Sequence, residues 1–133
     1  MKNIKVESQW NDKSEIMLNI PHFPHLHAGI NKNFAENNSY PHPYQYFLAS
    51  LAGIITMIII EYSEKYCLLI INLYITVRGE FTGDGKTFKK IDIEIRLNIN
   101  ASPAQFTELQ KILTEKNSIL SFFKNNIINI NWD

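Results

Sequence analysis

Apolar residues alternate with polar ones in two parts of the chain and run almost unbroken in two others. Ile91, Ile93, Ile95, Leu97 and Ile99 alternate with Asp92, Glu94, Arg96, Asn98 and Asn100 without a slip, which predicts a strand with one buried and one wet face. Residues 2–20 alternate more loosely about Asn11 and Asp12, with Ile4 and Val6, then Ile16, Leu18 and Ile20, and predict an opening hairpin. Residues 68–77 are apolar at both phases, so this segment is expected as a strand buried on both faces. Gly83, Asp84 and Gly85 supply a turn between it and the alternating strand, and the two are expected to pair antiparallel. The other unbroken run, residues 46–60, is shorter than the roughly 20 apolar residues that a bilayer requires. It carries Ser50 and Thr56 and ends in Glu61, Ser63, Glu64 and Lys65, so it is expected as a buried helix, with Pro43 in its first turn.

Such a helix must be covered on nearly all sides, which a domain of 133 residues achieves poorly alone. A partner chain is expected to supply part of the cover. Ala49, Ala52 and Gly53 give a face of small side chains on which another backbone can approach closely. Further on, Ser102, Pro103 and Gln105 form a capping-box start to a helix over residues 102–116, with Phe106, Leu109, Ile112 and Leu113 facing inward. Asn117 or Ser118 then caps a shorter helix containing Ile119, Leu120, Phe122 and Phe123, and Ile127, Ile128 and Ile130 close the chain as a strand. Residues 21–43 hold four of the five prolines and all four histidines, and read as one long irregular stretch. Strands, a long helix, two strands, two helices and a strand make an α+β fold in a single domain over residues 1–133.

Composition mostly excludes. Thirteen Lys plus Arg balance thirteen Asp plus Glu, so no summed positive field exists to hold nucleic acid. A hydrophobic share of 45% with 20% charge argues against intrinsic disorder. The single cysteine, Cys67, forms no internal disulfide, and nothing near Met1 reads as a signal or transit peptide, so the expected location is the cytoplasm, with no membrane partner.

The candidate chemistry is thin. Gly83 to Thr87 (GDGKT) imitates the end of a phosphate-binding loop, but Glu80 stands where the first glycine must be, and Phe88 leads into a strand instead of a helix. His22, His25, His27 and His42 could bring imidazoles to a Zn²⁺ ion from one loop, yet no cysteine joins them and Glu36 has no diagnostic spacing. The expectation is an exposed His- and Pro-rich loop with no specific metal and no cofactor. Cys67 has only Lys65 near it in sequence to lower its pKa, and is expected as a buried structural residue. Ser50 lacks the glycine-flanked elbow of a serine hydrolase.

The segment Pro43 to Met57 (PYQYFLASLAGIITM) resembles the central helix of the OsmC/Ohr family, the osmotically induced and organic hydroperoxide resistance proteins. The order of the later elements follows that family as well. The resemblance implies antiparallel sheets wrapped around long central helices in an intertwined homodimer, and an activity, organic hydroperoxide reduction, that uses a pair of cysteines. It places the attacking cysteine at Ile54 and the second cysteine at Asn117, with Ser118 where a proline would follow. The glutamate expected after Pro43 is Tyr44, and no arginine precedes the helix, since Arg78 and Arg96 follow it. The implied relative has kept the fold and lost the peroxidase, leaving a pocket lined by Tyr44, Gln45, Ile54 and Asn117 for an apolar small molecule, or a scaffold role. The alternatives are a one-cysteine peroxidase using Cys67 and a metal-binding histidine loop.

Overall fold

In chain order the elements are β1 (Glu7–Trp10), β2 (Glu15–Asn19), β3 (Leu26–Gly29), α1 (Pro43–Lys65), β4 (Ile70–Phe81), β5 (Phe88–Ile99), α2 (Pro103–Thr114) and β6 (Ile128–Trp132). The structure is a computed structural model and describes residues 3–10, 15–30, 40–115 and 128–133. The chain divides into two compact units, Met1–Phe47 and Leu48–Asp133.

The first unit holds an antiparallel sheet in the order β1-β2-β3. The expected hairpin is present, with Glu7 opposite Asn19 and Trp10 opposite Ile16, while its turn at 11–14 lies outside the described residues. The stretch 21–43 is not irregular throughout, because Leu26–Gly29 pairs with β2, Ala28 opposite Ile16. Four residues carry no readable periodicity, and pairing with a neighbour is what makes them a strand. Ala28 is fully buried, whereas Ile4, Val6, Trp10 and Phe23 are all more than 60% exposed.

The second unit is built on β5, flanked by β4 antiparallel and β6 parallel. A parallel pair needs a crossover, and α2 lies in the connection from β5 to β6. Ile91, Ile93 and Ile95 of β5 are fully buried against Leu51, Ile55, Ile59 and Tyr62 of α1 and Leu109 and Leu113 of α2. Each large aliphatic side chain so removed from water contributes about 1.5–3 kcal/mol. On the opposite face of the sheet, Lys90 pairs with Asp92, and Glu94 with Arg78 and Arg96.

The strand predicted over 68–77 corresponds to β4, but the expectation that it is buried on both faces is overturned. No residue of Ile70–Phe81 is fully buried, and Ile71 and Tyr74 are more than 60% exposed. β4 lies at one end of the strand order, and a bulge sets its phase: Ile70 pairs with Ile99 and Asn72 with Asn98, leaving Ile71 as the extra residue. Leu73, Ile75 and Val77 then pack on the core while Tyr74 turns outward. Gly83 to Thr87 is a hairpin turn, closed by the Thr82 amide on the Thr87 carbonyl at 2.9 Å, with Asp84 accepting from the Thr82 hydroxyl and Lys86 amide. Gly85 sits there at φ +69°, in the left-handed region.

The capping box of α2 forms as expected: the Gln105 amide donates to Ser102 Oγ at 3.2 Å, and the Ser102 amide to Gln105 Oε1 at 2.9 Å. The expected shorter helix, its cap at Asn117 or Ser118, and Ile127 lie outside the described residues. α1 is longer than the 46–60 run, reaching 23 residues, and by length and composition alone it could cross a membrane. Its buried residues, Leu51, Ile55, Ile59, Tyr62 and Ser63, form one stripe.

Candidate functional site at the central helix

His42, not a serine or aspartate, caps α1. Its Nδ1 accepts from the Tyr44 amide at 3.2 Å, and its own amide donates to Gln45 Oε1 at 2.8 Å, a reciprocal arrangement that satisfies two amides at the helix start. Pro43 occupies the first helical position, where a missing donor costs nothing. Burial holds the His42 imidazole below its ordinary pKa. That favours the neutral form, in which Nδ1 can accept a hydrogen bond. The start of α1 is tied to β3: the Tyr46 hydroxyl donates to the His27 carbonyl at 2.8 Å, the Gly29 amide to the Pro41 carbonyl at 3.0 Å, and the His27 ring stacks on Tyr40 at 4.8 Å.

Tyr44, half-buried, and Gln45, exposed, stand side by side on the first turn. Ile54 follows ten residues after Tyr44. About 2.8 turns of helix therefore separate them, and they are not helix neighbours. Asn117 lies outside the described residues. Of the four positions expected to line one pocket, Tyr44 and Gln45 are thus neighbours in sequence, Ile54 lies further along the helix, and Asn117 is outside the described residues.

The expectation of a buried Cys67 is wrong: the thiol is exposed. The cause is the way α1 ends. Cys67 has φ +51°, its amide donates to the Glu64 carbonyl at 3.3 Å, and the Leu68 amide reaches back to the Ser63 carbonyl at 2.8 Å. These two bonds make a Schellman ending, in which the left-handed position is usually glycine. Leu68 packs against the core, and Cys67 takes the outward position before it. The neighbouring cation is engaged elsewhere, since Lys65 Nζ lies 5.2 Å from the centre of the Tyr66 ring. The chain's two arginines, Arg78 and Arg96, make their ion pairs with Glu94, and Arg96 also reaches Asp133 at 3.4 Å.

The histidines do not converge. His22 and His25 are exposed in the turn before β3, His27 stacks on Tyr40, and His42 caps α1. Among the described residues, no group of three or more His, Cys, Asp or Glu is arranged to hold a metal ion. Sequence reasoning missed one hollow of about 390 Å³ on the β1–β2 hairpin, lined by Glu7, Ser8, Gln9, Met17, Asn19 and His25. Period-two alternation was its available signal, because Glu7 and Gln9 stand opposite Asn19 and Met17.

The family model described as OsmC-like protein matches residues 36–133. No curated protein matches the chain by sequence. Among solved structures, an OsmC-like protein from Mycoplasma pneumoniae aligns with TM-score 0.76 at 14% identity, over 99% of this chain and 95% of its own. An organic hydroperoxide resistance protein from Elizabethkingia anophelis aligns with TM-score 0.66 at 11% identity, over 100% of this chain and 96% of its own. The organic hydroperoxide resistance protein OhrB of Bacillus subtilis aligns with TM-score 0.61 at 12% identity, over 99% and 98%. At such identities the likeness is one of fold.

Proposed function

This chain belongs to the OsmC-like protein family, and from that premise we propose that it has lost thiol peroxidase activity and works as a homodimeric small-molecule-binding module. Its role stays within the response to organic hydroperoxides or osmotic stress. The observation that carries this reading is Ile54 on α1, where the family resemblance puts the attacking cysteine. Reduction of a hydroperoxide begins when a thiolate attacks the O–O bond, releasing the alcohol and leaving a sulfenic acid that a second thiol converts to a disulfide. An aliphatic side chain has no lone pair for the first step. With Cys67 as the single cysteine, the chain has no second thiol for the other.

The homodimer is supported by what each unit leaves uncovered. Ala49, Ser50, Gly53, Met57 and Ile60 of α1 are exposed, and the β1–β3 sheet has Ala28 as its one fully buried hydrophobic residue among those described. A three-stranded sheet needs a hydrophobic face packed on something to be stable. The ligand is apolar because the expected lining, Tyr44 and Ile54, offers aromatic and aliphatic surface with Gln45 as a polar contact.

A second reading, a one-cysteine peroxidase recycled by an external thiol, is favoured by the exposure of Cys67. Against it, Cys67 lies thirteen residues beyond Ile54. That is roughly 20 Å along the helix direction. Cumene hydroperoxide consumption with dithiothreitol, measured for the wild type and Cys67→Ser, separates the two. Equal background rates are expected; turnover that Cys67→Ser abolishes establishes the enzyme instead. Sedimentation equilibrium should give twice the chain mass at micromolar concentration, and a monomer there removes the dimer.

A further inference from the structure

We draw no further inference here: the strongest candidate, the histidine-capped first turn of α1 formed by His42, Tyr44 and Gln45, belongs to the site already described.

Discussion

Replacing Cys67 by glycine should make the protein more stable, although the peroxidase activity that the family resemblance implies would depend on cysteine. The residue holds φ +51° at the position after the helix cap, and its side chain is exposed, so truncation removes no buried surface. A side chain in the left-handed region costs about 1–2 kcal/mol, which glycine avoids. Glycine also has more unfolded-state freedom to lose, a charge of about 0.5–1 kcal/mol against the gain. The net expectation for Cys67→Gly is a stabilisation of about 0.5–1 kcal/mol, or an increase in Tm of about 2–4 °C for a chain of this size. Cys67→Ala keeps the strain and should lie within about 0.5 kcal/mol of the wild type. Urea denaturation followed by circular dichroism measures both. If Cys67→Gly is the less stable of the two variants, the Schellman ending is not what holds this turn, and the reason given for the outward thiol fails with it.

The His42 cap should weaken in acid. Its folded-state pKa lies below the unfolded value of 6.5, so the unfolded chain binds the proton more readily; the contribution is complete above about pH 6.5 and is lost as pH falls through the lower, folded value. Urea midpoints of the wild type should therefore fall more between pH 7.5 and 5 than those of His42→Asn, whose side chain can cap without titrating, and parallel curves would refute this. Ser102→Ala should cost about 1 kcal/mol, since it removes the hydroxyl that accepts from the Gln105 amide; Ser102→Asp should recover most of that loss in the same measurement.

The second unit was largely legible because its signals are local. The alternation of Ile91 to Ile99 against charged and amide residues needs no knowledge of neighbours, and β5 buries the predicted face. Ser102, Pro103 and Gln105 state a helix start in four residues of sequence, and both reciprocal bonds form. What failed was non-local. An apolar run on both phases does not distinguish a central strand from one at the end of the order, and a single bulge at Ile71 decides which side chains of β4 turn outward. β3 exists through its bonds to β2 and has no pattern of its own. Cys67 was misplaced because cysteine usually behaves as a small buried hydrophobe, whereas here the backbone geometry of a helix ending outweighs that preference. In the candidate site, Gln45 three residues after His42 was the readable half of the cap; an imidazole accepting from Tyr44 was not, because histidine is not among the usual capping residues.

One stripe of α1 still needs a physical reason. Leu51, Ile55, Ile59 and Tyr62 account for the apolar residues facing β5 and α2. Ala49, Gly53, Met57 and Ile60 recur at intervals of four, four and three on another stripe, and all are exposed. Glycine inside a helix costs about 1 kcal/mol relative to alanine. Among the described residues nothing offsets that cost at Gly53: a Cβ built there meets nothing within 4 Å, so neither close packing nor backbone strain requires the missing side chain. Ala49 and Gly53 gain a function when a second backbone approaches them, and Met57 and Ile60 then leave water in the same step. The proposed dimer therefore accounts for both the smallness and the apolarity of this stripe.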